Sequence, residues 1–271
     1  MAYTENQETA QPSVVALFVS DIHLAPELPA TTSAFLHFLQ QYTAGVPQLY
    51  ILGDLFEYWI GDDDMADEYH QKIIRALKSV SDAGTQLFWV AGNRDFLIGR
   101  KFIQATGMLA LQDPTTITIT DKSVTICHGD TLCTDDTDYI EFRSKVRNPI
   151  WQQEFLSLPL SKRKSIAQDM RTNSRKEQSK KSIAIMDVNI QAVTALQEQT
   201  GSSVLIHGHT HRPAVHISDS KYRYVLPDWD CDAVASRGGW LALYSDGKFS
   251  QIDVNGNTRT DLPNSGARQS S

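Results

Sequence analysis

Five short polar motifs carry most of the reactive side chains of this chain, and each one follows an apolar run. The motifs are Asp21-Ile22-His23, Gly53-Asp54, Gly92-Asn93-Arg94-Asp95, His128-Gly129-Asp130 and His207-Gly208-His209-Thr210-His211. Their carboxylate and amide oxygens and imidazole nitrogens are ligands for Mn²⁺, Fe²⁺, Zn²⁺ or Mg²⁺. A carboxylate such as Asp54 can bridge two metals about 3.5–4 Å apart, which is the spacing used in two-metal phosphate chemistry.

Each motif alone also has a plain structural explanation. Asp21-Ile22-His23 is compatible with a hydrogen-bonded turn, and Asn93 is compatible with a turn residue in the left-handed region. Three imidazoles at alternate positions from His207 are harder to explain by packing. The ordered set of five motifs therefore favours a metal site.

The apolar runs before the motifs predict the elements that must position them. Buried strands are expected at Val14–Ser20, Gln48–Leu52 and Gln86–Ala91, with amphipathic helices at Ser33–Tyr42 and Asp67–Ser81 between them. This alternation predicts a mainly parallel sheet with helices on its faces. Since ligand sites of such sheets lie at the carboxyl ends of the strands, we expect the motifs to meet at one edge.

The rest of the chain predicts further strands on both sides of a helical segment. The strand-like runs are Thr115–Thr120, Ser123–Cys127, Val204–Ile206, Tyr222–Leu226, Trp240–Tyr244 and Phe249–Val254. We expect an α/β (α+β) fold, with a two-layered β-core of residues 14–135 and 200–257 and a helical insert, or cap, at 136–199. Residues 1–13 and 258–271 are expected to be disordered tails.

The composition is that of an ordinary globular protein. Of 271 residues, 41% are hydrophobic and 21% are charged, which excludes a mostly disordered, collagen-like or coiled-coil chain. The three cysteines are too few and too irregularly spaced for a disulfide framework or a thiolate zinc site. Without a secretory signal or a run of about 18 apolar residues, the protein is expected in the cytoplasm.

The formal net charge of −7 argues against nucleic-acid binding, but it conceals a basic segment. Between Arg143 and Lys181, 11 lysines and arginines stand against only three acids. We therefore expect the insert to face an anionic partner. The insert also carries a set of apolar side chains: Phe142, Val146, Ile150, Trp151, Phe155, Leu156, Leu160, Ile166 and Met170.

The order of the motifs, D-x-H, GD, GN-[RH]-[DE], H-GD and GH-x-H, resembles that of the calcineurin-like metallophosphoesterases. Longer segments are similar to the UDP-2,3-diacylglucosamine diphosphatases of Gram-negative lipid A synthesis, a family within that superfamily. These segments are 53–64 (GDLFEYWIGDDD), 92–97 (GNRDFL), 128–136 (HGDTLCTDD) and 206–216 (IHGHTHRPAVH). The resemblance covers roughly residues 16–253 and implies a β-sandwich core flanked by helices, with a helical cap.

The resemblance implies two Mn²⁺ per chain, held by seven side chains. One ion would be bound by Asp21, His23, Asp54 and His209, and the other by Asp54, Asn93, His128 and His207, with Asp54 bridging. Asn93, Arg94 and His207 would be catalytic, and the substrate contacts would be Asn93, Arg94, Asp136, Ser174, Gln178, Lys181 and His207. Gln178 departs from the Asn expected there. His211 is expected only to orient a ligand.

The implied reaction is attack of a metal-bound hydroxide on the α phosphorus of UDP-2,3-diacylglucosamine. The products would be UMP and 2,3-diacylglucosamine 1-phosphate (lipid X), and the enzyme would be peripheral on the cytoplasmic face of the inner membrane. Lys162-Arg163-Lys164 would contact diphosphate or anionic headgroups, and the apolar residues of the insert would hold acyl chains. Alternatively, these apolar residues pack the helices of the insert, and its cations form a solvated face.

Two other functions remain open at this point. The first is a metallophosphoesterase that acts on a cyclic nucleotide or a soluble nucleotide sugar, which needs no long insert. The second is a protein-binding scaffold of the same fold that has lost catalysis. Such scaffolds typically lose ligands, whereas all seven candidate positions carry chemically competent residues.

Overall fold

A computed structural model describes residues 11–178 and 187–259, with only the backbone described for 173–178. The strands are β1 (Val14–Val19), β2 (Gln48–Ile51), β3 (Gln86–Val90), β4 (Leu109–Leu111), β5 (Thr115–Ile119), β6 (Lys122–Ile126), β7 (Val204–His207), β8 (Ala214–Ser218), β9 (Lys221–Val225), β10 (Gly239–Tyr244) and β11 (Phe249–Asp253). The helices are α1 (Pro29–Gln41), α2 (Glu68–Asp82), α3 (Arg100–Thr106), α4 (Thr137–Val146), α5 (Pro149–Ser157), α6 (Leu160–Gln178) and α7 (Ile190–Thr200).

Several helices begin at side chains that accept hydrogen bonds from their first backbone amides. Asp67 caps α2, Asp136 caps α4, Asn148 caps α5 and Asn189 caps α7. Asp, Asn, Ser and Thr are preferred at this position because their oxygens accept from otherwise unpaired amide groups. Pro149 follows the cap of α5, where its missing N–H costs no hydrogen bond.

The strands form two mixed sheets, which are the two layers of the β-core that the sequence predicts. The first has the order β11-β10-β1-β2-β3-β4, and β1 to β4 are parallel neighbours. The second has the order β5-β6-β7-β9-β8, with β7 parallel to both of its neighbours. The predicted α/β fold with a two-layered β-core is therefore confirmed.

Alternation of side chains along β1 explains how the layers pack. Leu17 and Val19 point to the apolar core beneath α1, α2 and α3, whereas Ala16 and Phe18 pack against the second sheet. Successive side chains of a strand face opposite sides, so a continuous apolar run can serve two layers. On the far side of the second sheet, Leu205 packs under α7.

Some boundaries differ from those the sequence predicts. Helix α7 lies in the predicted insert but packs against the second sheet through Val193, so it is part of the core. Thr258 pairs with Ile252, so the predicted C-terminal tail begins as an extension of the sheet. The short elements α3 and β4 had no recognisable pattern. Among the described residues, no helix has the length and apolar character needed to span a bilayer.

Ion pairs fasten the insert to the core. The guanidinium of Arg163, only 2% exposed, donates to the carbonyl of Ile60 and to the carboxylate of Asp63, which follow β2. Next to it, Lys164 lies 2.9 Å from a carboxylate oxygen of Asp64. These two cations therefore neutralise acids of the core rather than the headgroups expected from the sequence.

Replacing Arg163 tests this attachment. Arg163→Met keeps much of the side-chain volume but removes the hydrogen bonds, so the free energy of unfolding should fall by about 1–3 kcal/mol. The exposed neighbour variant Lys162→Met should change it by less than about 0.5 kcal/mol. Urea denaturation of both variants measures the difference. Equal stability of the two variants would show that Arg163 does not anchor the insert.

Candidate metal centre and substrate pocket

The predicted ligands after β1 and β2 lie on loops with an unusual backbone conformation. Asp21, His23 and Asp54 have φ angles of 52°, 52° and 53°, and backbone hydrogen bonds of 3.0–3.1 Å connect the two loops. His209 and His211 are also left-handed, with φ angles of 67° and 54°. Such conformations cost about 1–3 kcal/mol each in residues other than glycine and cluster at functional sites.

A first group consists of Asp21, His23 and His211. The Nε2 atoms of the two histidines are 3.2 Å apart, and Oδ1 of Asp21 lies 3.4 Å from that of His211 and 3.9 Å from that of His23. The other oxygen of Asp21 accepts hydrogen bonds from Ser20 and from the backbone of His209, whereas Oδ1 is buried and has no hydrogen-bond partner among the described residues. A divalent cation fits this arrangement because it would satisfy the orphaned oxygen and both facing nitrogens.

A second group adjoins the first. Oδ1 of Asn93 lies 2.8 Å from Nε2 of His128 and 2.9 Å from Nδ1 of His209, and Asp54 Oδ1 is 3.7 Å from the same nitrogen of His128. His128 donates its Nδ1 proton to the carbonyl of Leu52, which leaves Nε2 as the nitrogen that can bind a metal. Asp21, Asp54 and His128 also lie within metal-ligand reach of one another, so the two groups overlap.

The carboxylates and imidazoles of this cluster shift one another's pKa values. Burial would raise the pKa of Asp21, but the surrounding imidazoles, His211 foremost, hold it well below its usual range. Burial would lower the pKa of His128, but the carboxylates of Asp54 and Asp21 raise it to about 9. Burial and the charge of His128 lower the pKa of His209 to about 4. A metal that binds here would displace the proton of His128, because only neutral imidazole is a ligand.

His207 does not lie with these groups, although the resemblance implies that it is a metal ligand and a catalytic residue. In the described part of the chain, its Nδ1 contacts the carbonyl of Gly208 at 2.9 Å and its Nε2 lies 3.2 Å from Arg223. Burial and the charge of Arg223 lower the pKa of His207 to about 3. The geometry thus favours His209 and His211. The signal was present in the sequence, since GH-x-H matches residues 208–211.

Two glycines of the motifs allow the loops to approach closely. A Cβ on Gly92 would collide with the backbone nitrogen and carboxylate of Asp54, and one on Gly208 would collide with the carboxylate of Asp21. Asp95 accepts from the amide of Gly92 at 2.9 Å and from that of Leu55 at 2.9 Å. The last residue of the GNRD motif therefore fixes the turn and is not directed to the metal cluster.

A cavity of about 400 Å³ connects the second group with the insert. Its volume lies within the range of about 300–1,000 Å³ that is typical of small-molecule sites. Of the predicted substrate contacts, it brings together Asn93, Arg94 and Asp136; Ser174 and Gln178 lie in the last turns of α6, and Lys181 lies outside the described residues. Five apolar side chains of the insert line it: Phe142, Trp151, Phe155, Ala167 and Met170.

Three residues that sequence reasoning did not assign to the site also line the cavity: Glu57, Tyr139 and Arg171. Glu57 lies 3.1 Å from Nδ1 of His23 and 2.6 Å from Nε of Arg171, both measured from its carboxylate. Burial would raise the pKa of Glu57, but His23, Arg94 and Arg171 lower it to about 2. Tyr139 also lines the cavity and donates its hydroxyl to Asp130 at 2.6 Å.

Comparisons with known proteins extend these observations. The model of the calcineurin-like phosphoesterase family matches residues 15–213. A UDP-2,3-diacylglucosamine hydrolase from Enterobacter sp. (strain 638) is 46% identical over 238 residues, which are 86% of this chain and 97% of that protein. The protein of that name from Escherichia coli (strain K12) is 49% identical over 220 residues, or 80% and 91% of the two chains. Vacuolar Protein Sorting 29 from Cryptosporidium parvum aligns in structure over 92% of this chain and 95% of its own, at 14% identity and a TM-score of 0.47.

Two matched substitutions test which histidines hold metal. His211→Gln removes one side chain of the first group, so a protein loaded with Mn²⁺ and desalted should lose about half of the metal that the wild type retains. His207→Gln keeps a hydrogen-bonding side chain beside Arg223 and should retain the wild-type amount. Metal content is measured by mass spectrometry. If only the His207 variant loses metal, the prediction is wrong, and the ligand set implied by the resemblance, with His207 as a ligand, is correct.

Proposed function

The chain belongs to the calcineurin-like phosphoesterases and, within them, to the family of UDP-2,3-diacylglucosamine hydrolases, and we propose that it hydrolyses the diphosphate bond of UDP-2,3-diacylglucosamine. The products are UMP and 2,3-diacylglucosamine 1-phosphate. The observation that carries this proposal is the continuity of a buried cluster of metal ligands with an apolar cavity lined by the insert. A soluble nucleotide sugar offers nothing for those apolar side chains to bind.

The cofactors in this proposal are two Mn²⁺ ions. Asp21, His23 and His211 would hold one, and Asn93, His128 and His209 the other, with Asp54 shared between them, so that His211 replaces His207 in the ligand set. When bound, such a pair supplies Lewis acidity and an activated water for attack on the α phosphorus. The nitrogen and oxygen donors suit Mn²⁺. None of these seven side chains is a thiolate, the ligand that would favour softer metals.

Arg94 is the residue best placed to bind the diphosphate. Its backbone amide donates to Asp54 at 2.8 Å, and its side chain lines the cavity beside Asn93. A guanidinium can donate two parallel hydrogen bonds to phosphate oxygens, which would fix the orientation of the phosphorus. The leaving group is a phosphate monoester with a second pKa of about 6, so its departure requires little protonation and no dedicated general acid.

The acyl chains are assigned to the apolar half of the cavity. Phe142 and Met170 line it, Trp151 lines it and also packs against the main core, and Leu160 and Ile166 pack against the main core only. The apolar residues of the insert therefore divide between the two roles that the sequence left open. Some of them attach the helices, and others form the proposed chamber.

We also assign the protein to the cytoplasmic face of the inner membrane as a peripheral protein. Ile150 and Leu156 on α5 are 67% and 41% exposed. Apolar side chains on an exposed helix can enter the headgroup region of a bilayer. A protein bound in this way would take its amphiphilic substrate directly from the membrane.

A product assay tests the reaction and the substrate class together. Metal-stripped protein supplied with Mn²⁺ should release UMP from UDP-2,3-diacylglucosamine and not from UDP-glucose. Asn93→Ala removes an oxygen of the second group and should lower the rate by about 100-fold or more. Chromatography of the products measures both. Equal hydrolysis of UDP-glucose would contradict the lipid substrate but not the metal centre.

Phe142 tests the chamber separately, because it lines the cavity yet is 41% exposed and carries little of the core. Phe142→Ala should raise KM for the diacylated substrate by about 5–30-fold, since about 1–2 kcal/mol of apolar burial is lost, and should leave kcat nearly unchanged. Ile190→Ala, a 60% exposed apolar residue on α7 outside the cavity lining, is the matched control in detergent micelles. A KM that responds equally to both variants would argue against the chamber.

A further inference from the structure

Glu57 occupies the point where the metal cluster, the cavity and the insert meet. It is 8% exposed and lines the cavity. Its backbone amide donates to the carbonyl of Leu24 at 3.1 Å, one residue after His23. The loop after β2 is therefore fixed against the loop after β1 at this residue, and the carboxylate is held close to both neighbours.

One oxygen of this carboxylate faces a metal-ligating histidine. Oε2 of Glu57 lies 3.1 Å from Nδ1 of His23, and the other ring nitrogen, Nε2, faces His211 and Asp21. A carboxylate behind a histidine fixes its tautomer and ring orientation and makes its free nitrogen a stronger ligand. The ring of His23 thus has one nitrogen for Glu57 and one for a metal.

The other oxygen faces the insert. Oε1 of Glu57 lies 2.6 Å from Nε of Arg171 on α6, and the Arg171 side chain is largely buried. Arg171 also lines the cavity. The same carboxylate therefore contacts a residue of the metal cluster and the wall of the cavity that the insert supplies.

We propose that Glu57 is a positioning residue that orients His23 toward a metal ion and, through the same carboxylate, holds α6 against the metal centre. Neither contact touches a reacting atom, so its effect passes through His23 on one side and Arg171 on the other. The inference rests on the two-metal part of the proposed function and not on the identity of the substrate. It is therefore tested by metal binding, which can be measured even if the lipid substrate is wrong.

Glu57→Gln keeps the size of the side chain and removes its charge. Calorimetric titration of the metal-stripped variant with Mn²⁺ should show one site weakened by about 10–100-fold and the other unchanged. Glu198→Gln, an exposed glutamate on α7, is the matched control and should bind both ions as the wild type does. Arg171→Ala should also leave both affinities unchanged, because the histidine contact is intact.

Thermal melting without metal tests the second contact. Glu57→Gln and Arg171→Ala should each lower the melting temperature. The double variant should lower it by less than the sum of the two single shifts, because each single variant already breaks the same ion pair. Additive shifts, unchanged Mn²⁺ affinity in Glu57→Gln, or equal weakening of both sites would each overturn the proposal. If Glu57→Gln alone does not melt cooperatively, Glu57→Gln/Arg171→Met removes both charges and is titrated in its place.

Discussion

Burial of two carboxylates side by side is the constraint on which the rest of the site depends. Asp21 and Asp54 are 0% and 2% exposed, and removing a carboxylate from water costs several kcal/mol even after relaxation. Backbone amides and imidazoles offset part of this cost in the protein alone, and the two acids in turn raise the pKa of His128 to about 9. Two divalent cations would offset it more completely, which explains why strained loops and a cluster of histidines persist at this edge.

The order of the strands determines where these side chains lie. Asp21 and Asp54 follow neighbouring parallel strands, β1 and β2, and Asn93 follows the next strand, β3. In the second sheet, His128 and His209 follow the parallel neighbours β6 and β7. Because the two sheets pack face to face with these strand ends at a common rim, all five loops converge there.

The sequence predicts the strand ends and the motifs well because both are local properties. An apolar run and the polar residue that ends it can be read along the chain, so the positions of Asp21, Asp54 and His128 follow from the pattern. The pattern GH-x-H at residues 208–211 already favoured His211 over His207, and the structure adds the physical reason, since Arg223 of β9 lies 3.2 Å from Nε2 of His207. Helix α7 was misplaced because its partner Leu205 lies in a strand that follows it.

Basic residues of the insert contact loops of the core. Arg143 contacts Asp130 at 2.7 Å beside His128, one of the proposed metal ligands, and Arg147 donates to the carbonyl of Gly92 at 2.8 Å beside Asn93. With the ion pairs of α6 to the loop after β2, the insert thus contacts three of the loops that carry ligands. Among the described residues, four of its cations pair with acids of the core: Arg143, Arg163, Lys164 and Arg171. The helices of the insert, the apolar cavity and the proposed metal centre are therefore joined by direct contacts, so a displacement of these helices would move side chains at the loops that carry the proposed ligands.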